Sequence, residues 1–562
     1  MGVNATSRSL LIRNARIVDG TGAPSAHGDV VVQDGVIAAV EASLSPASLP
    51  SGTRVIDAQG HVVAPGFIDV HTHFDPQICW DRLATPMLEH GVTTVLMGNC
   101  SLSLAPVKKQ DQRALAGMFK QIEDIPLSAF AEGVAWKWET YPEYLDYIRR
   151  DLGINVAGLV GHSALRTYVM GAAAQERAAT DEETAVMCRI LADAICAGAA
   201  GLSTSYVDID EQMRPVPSRF ATRDEIIALG RAMATAGRGI IQTVPVFYNP
   251  PEQINNINEM GAISRATGLL CTVAPIVYGG RDSSLWSDSL AALDEQAQRG
   301  ARVFGQSMPR TFDINIRLSE SSFILLALPA WAELMRMPLP ERLAGFNDPA
   351  RRDDLRNQAV FLGPLLSMIR IGQTATPQNR HLEGKFLTAL AAERGVTPAD
   401  ALIDLACSED LQTEFSVRDM IHADPEFVTA ILSHARIHIG ASDAGAHVAQ
   451  FCGAGDTSYL LARWVRDLKA FSLERAVHRL TGELADAFGI RGRGRIAAGL
   501  AADLVLFDPN TIDRGNEEFI HDVPGGGNRY VRHATGIDAV IVNGAVTWEG
   551  GGYTDARAGQ IV

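Results

Sequence analysis

The chain has 562 residues, 47% of them hydrophobic and 20% charged, enough for a large buried core and for more than one ordinary domain. Its formal charge of -16 comes from 65 acidic against 49 basic residues and includes no run of Lys or Arg that could track phosphates, so neither nucleic acid nor an anionic membrane is an expected partner. Seven scattered cysteines are unlike the dense, paired pattern of a secreted disulfide scaffold, and no apolar run reaches the ~18 residues of a membrane span; a soluble cytoplasmic protein is expected.

The opening MGVNAT formally fits a myristoylation pattern, but nothing basic follows it, and one acyl chain anchors weakly. Residues 8–66 alternate short β-type runs with turn signals: SLLIRNARIVDG, DVVVQDGVIAAV and TRVIDAQGHVVAPG. This predicts a small β-sandwich. From residue 66 the pattern changes to short apolar runs, each followed by a helical stretch, as in a parallel βα barrel. Eight strands are expected, at 66–73, 93–100, 155–163, 198–205, 239–246, 269–275, 301–308 and 437–447. The interval 309–436 is too long for a loop and should be a largely helical insertion. The C-terminal GRIAAGLAADLVLFDP and DAVIVNGAVTWEGG return to the β style. The expected architecture is therefore α/β: a distorted TIM (β/α)8 barrel over 66–490, with a β-sandwich built from 1–65 and 491–562.

Barrel active sites form where strands end, so the polar residues there are the ones to inspect. His71 and His73, two apart on a strand, point the same way and offer two nitrogens to one point. Alone, such a pair is more often structural; its place at the end of the first strand favours chemistry. Cys100 ends the second strand as a soft donor, against the reading of a small buried hydrophobe. Asp443 ends the eighth strand, next to the first once the barrel closes, against the reading of a helix N-cap. Strands eight, one and two would thus supply a carboxylate, two imidazoles and a thiolate, a set that Zn²⁺ accepts.

The strings APGFIDVHTHFD, GVTTVLMGNCSLSLAPV, LVGHSALRTYVMG, GAAGLSTS, GASDAGAH and GRIAAGLAADLVLFDP resemble the D-aminoacylase (N-acyl-D-amino-acid deacylase) branch of the amidohydrolase superfamily over nearly the whole length. The resemblance implies a β-sandwich from both termini, a distorted TIM barrel, a catalytic zinc and hydrolysis of an N-acyl bond. It also implies that His71, His73, Cys100 and Asp443 surround the metal, Cys100 standing where other amidohydrolases use a carboxylated lysine. The family ends its fifth strand in Thr-His-Met-Arg and its sixth in Ser-His-His-Lys; here the strings are QTVPVF and CTVAPIV. Val244 and Val273 replace the second set of histidines and Pro275 replaces a basic residue that meets the substrate carboxylate. One Zn²⁺, or another single divalent ion, is therefore expected.

His162, at the end of the third strand, is a candidate to orient a carbonyl, with a backbone-satisfied histidine as the alternative. Candidate substrate contacts are His447, Arg166, Tyr206, Gln242 and Ser307. The expected reaction is attack by water, activated by the metal, on a small-molecule amide, with Asp443 and His162 catalytic. Two rivals remain: a hydrolase of neutral amides, carbamates, cyclic amides or esters, suggested by the lost basic residue, and a degenerate barrel that binds without turnover. Homo-oligomerisation is left open by the sequence.

Overall fold

The computed structural model describes residues 9–45 and 49–562; the MGVNAT segment lies outside them. One nine-stranded sheet takes strands from both ends of the chain. Val62–Pro65 from the N-terminal part pairs antiparallel with Leu504–Phe507 from the C-terminal part, Leu504 opposite Pro65 and Phe507 opposite Val62. Because side chains alternate along a strand, these strands serve two cores. Val63, Leu504, Leu506, Ala539 and Ile541 pack into the sheet's own cluster. Val62, Ala64, Val505, Phe507, Val540 and Val542 turn the other way, into the core shared with the barrel. The sheet is curled, so that the Ala502 amide donates to Gly35 O and Gly544 abuts Gly35, giving the sandwich.

The barrel strands are Phe67–Asp69, Val92–Met97, Asn155–Gly161, Gly201–Ser205, Ile240–Val244, Leu270–Val273, Val303–Ser307 and Ile437–Ile439. They lie in that spatial order and all pair parallel, each overlapping a run read from the sequence. Phe67–Asp69 and Ile437–Ile439 are only three residues each, so the barrel closes just beyond them. Thr72 bridges Ala444, the Asp443 amide donates to His71 O at 3.2 Å, and the His73 amide to Ala444 O at 2.8 Å. The closing seam of the barrel is therefore made by the segments that carry His71, His73 and Asp443.

The insertion carries helices around their own buried cluster, including Trp331, Phe346 and Phe415. It also forms a three-stranded antiparallel sheet of Ile314–Ile316, Arg370–Ile371 and Phe415–Val417, which the helical pattern did not reveal. From the C-terminal part a hairpin, Asp513–Val523 with Gly527–Thr535, leaves the large sheet. It lies against the loop after the eighth barrel strand, where the Tyr530 amide donates to Val448 O at 2.8 Å and Glu517 accepts from the Cys452 amide at 2.9 Å. Among the described residues no helix is long and apolar enough to cross a membrane.

Candidate metal centre and active site

The candidate donors come from three neighbouring strand ends. Cys100 Sγ lies 3.5 Å from His71 Nε2 and 3.7 Å from His73 Nε2. Asp443 Oδ1 lies 3.2 Å and 3.5 Å from the same two nitrogens. Donors around one tetrahedral Zn²⁺, at bonds of about 2.0–2.3 Å, are roughly 3.3–3.7 Å apart, so the spacings of the two imidazoles to Cys100 and to Asp443 suit a single ion, although Asp443 itself stands outside the compact group. His71, His73 and Cys100 form a group whose ligand atoms all lie within 4.8 Å of one another. The backbone is bent to achieve this. Cys100, Asp443 and His447 have φ of 57°, 57° and 47°, left-handed values that cost a non-glycine residue about 1 kcal/mol each and concentrate at functional sites. Gly98 supports the bend, since a Cβ there would sit 2.3 Å from Leu159 O.

The outer nitrogen of each imidazole faces an oxygen, through a hydrogen bond at His71 and through a close contact without hydrogen-bond geometry at His73. His71 Nδ1 is 3.0 Å from Gln306 Oε1 and His73 Nδ1 is 3.1 Å from Glu123 Oε1. Protonation of each Nδ1 toward its oxygen would leave the Nε2 lone pair facing inward, as a metal ligand must. The electrostatics call for a cation. Burial, then the charges of Glu123, Asp208 and Asp443, push the Cys100 thiol well above its ordinary value. Burial also pushes Glu123 well up and Asp208 to about 6. Asp443 moves the other way: its burial is outweighed by hydrogen bonds and charges from His71 and His73 when their Nε2 atoms carry protons, a balance that keeps it ionised. A dication held by His71, His73, Cys100 and Asp443 would supply the counter-charge that a buried thiolate needs.

A cavity of about 580 Å³ opens over these donors. His447 faces it, with Nδ1 3.1 Å from Asp124 Oδ2. Burial lowers the affinity of His447 for a proton, but Asp124 more than compensates, so its pKa is raised. Glu123 and Asp124 end one helix, Gln112–Glu123; Glu123 faces His73 and Asp124 hydrogen-bonds His447. Val244, Ala274 and Pro275 form part of the opposite wall. Val273 does not: its register turns it into the core between sheet and helices, so Ala274 takes the cavity-facing place expected for it.

The sequence profile of the amidohydrolase family matches residues 54–338 and 388–548. This chain belongs to the amidohydrolase family. The interval the match skips, 339–387, falls inside the insertion. The chain is 30% identical to the D-aminoacylase of Alcaligenes xylosoxydans xylosoxydans, over 98% of this chain and 97% of the relative. Among solved structures it is similar to a D-aminoacylase studied for its binuclear metal centre, with one-metal activation and second-metal attenuation (TM-score 0.67, 28% identity, 98% of each chain). It is also similar to an N-acyl-D-glutamate deacylase from Bordetella bronchiseptica complexed with zinc and a phosphonate mimic of the tetrahedral intermediate (TM-score 0.66, 27% identity, 98% of each chain).

Other residues proposed from the sequence lie elsewhere in this amidohydrolase. His162 is fully buried with both ring nitrogens engaged, Nδ1 3.1 Å from Thr204 Oγ1 and Nε2 2.9 Å from Glu225 Oε1. Arg166 donates to the same carboxylate at 2.6 Å. Neither lines the cavity, so the expected carbonyl and substrate contacts are replaced by a buried ionic cluster. Tyr206 turns toward the helices, its hydroxyl 4.0 Å from Met260 Sδ. Gln242 points into the barrel but accepts from the Cys100 amide at 3.0 Å, fixing the ligand loop. Ser307 donates to Ile276 O at 2.8 Å; its neighbour Gln306 has the inward register and holds His71. The sequence reading missed Glu123, Asp124, Asp208 and Gln306. Asp208 follows the fourth strand and Gln306 lies on the seventh, so strand-end position and period-2 register could have found both. Nothing local marks Glu123 and Asp124, which reach the site only through the fold.

Proposed function

We infer that this protein hydrolyses the C–N bond of a small-molecule amide, using one divalent ion, zinc by the chemistry of its donors, held by His71, His73, Cys100 and Asp443. The observation that carries this reading is that the Nε2 atoms of His71 and His73 each lie 3.2–3.7 Å from both the Cys100 thiol and the Asp443 carboxylate, in a chain of the amidohydrolase family. The D-aminoacylase relatives support amide hydrolysis as the reaction, and the zinc and phosphonate in a neighbouring structure support the metal. A single ion is favoured because the wall contributed by the fifth and sixth strands faces the cavity with Val244, Ala274 and Pro275, none of which has a side-chain donor.

When bound, the ion supplies Lewis acidity, making water acidic enough to attack at neutral pH and polarising the carbonyl. The protein supplies proton transfer and geometry. Asp443 is the most accessible of these donors, its side chain 26% exposed against 4% for His71 and 1% for His73, so its carboxylate takes the proton of the attacking water. The same carboxylate returns that proton to the departing nitrogen. His447, clamped at Nδ1 by Asp124, has Nε2 left to donate to the carbonyl oxygen as charge develops there. Gln306 and Glu123 hold the two imidazoles in register throughout. The seven unpaired cysteines support a reducing, cytoplasmic location.

The test is amide hydrolysis before and after chelation. Turnover should vanish on metal removal and return with stoichiometric Zn²⁺; turnover that survives complete metal removal refutes the reading.

A further inference from the structure

The cavity over the metal donors has a wall whose chemistry selects its occupant. Val207, Ile209, Val244, Val277, Met308 and Phe323 are among its lining residues, and Phe247, Tyr248 and Met213 stand at 42%, 69% and 42% exposure along it. Large apolar side chains left this open to water and continuous with a buried apolar wall mark a binding surface. Among the described residues, no Lys or Arg lines the cavity.

The ionisable groups that do face it, beyond the metal donors, are Glu123, Asp208 and His447. His447 is already matched by Asp124, whose carboxylate also accepts from Gln450 Nε2. The arginines on the seventh strand's loop are consumed elsewhere. Arg310 Nη2 donates to Ser442 O at 2.9 Å and its Nε lies 3.0 Å from Asp456; Arg317 pairs with Glu414 at 3.0 Å and with Tyr530. An anionic substrate group would enter a mostly apolar cavity where no Lys or Arg supplies a counter-charge and the charge of His447 is already matched by Asp124, and burying an unpaired charge is strongly disfavoured.

We propose that the substrate is an uncharged, largely apolar amide without a free carboxylate, its apolar portion lying along the Val244–Val277 wall and out to Phe247 and Tyr248. This rests on the hydrolase reading above and narrows it away from the acidic N-acyl amino acids named for the relatives.

The test uses a matched pair on the zinc-loaded protein: an N-acyl 4-butylanilide and the corresponding N-acyl 4-aminobenzoate, with turnover and calorimetric binding measured in parallel. The neutral compound should bind, and where turned over be favoured in kcat/KM, by about 100-fold. Val277→Lys, which places a cation on the wall, should narrow that gap by about 10-fold. Equal binding of the pair, or preference for the carboxylate, overturns the proposal while leaving hydrolysis standing. Selective binding of the neutral compound with turnover of neither compound supports the substrate class and overturns the hydrolase reading.

Discussion

Two histidine clusters sit at strand ends of the same barrel, and they differ in charge balance. Around His162 the account closes within the protein: both ring nitrogens are engaged, and Glu225 is shared between His162 and Arg166. Around His71 and His73 it does not. Two imidazoles, a thiol and the carboxylates of Asp443 and Glu123 meet there, and the cavity above has no Lys or Arg. A histidine at a strand end is therefore a weak sign of chemistry by itself. Uncompensated donors converging on one point are a strong one, because burying them without a cation is unfavourable.

The comparison breaks most sharply on Asp443. Asp443→Asn should leave a folded protein that retains metal on His71, His73 and Cys100 but turns over about 1,000-fold more slowly. Wild-type turnover would show that the exposed carboxylate is not the proton carrier.

The next largest effect belongs to the closed cluster and should appear in stability. Glu225→Gln leaves Arg166 charged and buried without its partner, at a cost of about 3 kcal/mol at pH 7 in denaturant unfolding, with metal content unchanged. Burial pushes the Glu225 carboxyl up, but His162 and Arg166 prevail and hold it at about 2, below its ordinary 4.5. A depressed carboxyl contributes its stability above the ordinary value and loses it as pH falls through the depressed one. The gap between wild type and variant should therefore close between pH 4.5 and 2. A gap that widens on acidification contradicts this assignment.

Glu123→Gln sharpens the open cluster. Replacing the carboxylate that faces His73 Nδ1 should weaken metal binding by about 10–100-fold, read by competition with a chromogenic chelator, and should leave fold stability of the metal-free protein nearly unchanged. Unaltered metal affinity would remove Glu123 from any part in orienting His73.

The sequence made the barrel legible because each strand is a short apolar run at a regular place in the βα pattern, and the first, second and eighth runs end in His, Cys and Asp. Those donors could be found one at a time and joined by barrel closure. The parts that were not legible depend on register or on distant packing. Ser307 and Gln306 differ by one position, and only the fold shows which faces inward. Val273 and Ala274 differ in the same way. Glu123 and Asp124 lie at a helix end more than 20 residues beyond Cys100, and no local pattern ties them to His73 and His447. His162 looked available because its partner Glu225 is 63 residues away.

Elemental analysis of the purified protein after removal of loosely bound metal, run beside His71→Ala, shows whether four side chains from three adjacent strand ends hold one ion. The wild type should carry about one equivalent of zinc or a similar divalent ion, and the variant almost none. Two equivalents in the wild type, or one that persists without the His71 imidazole, would contradict this.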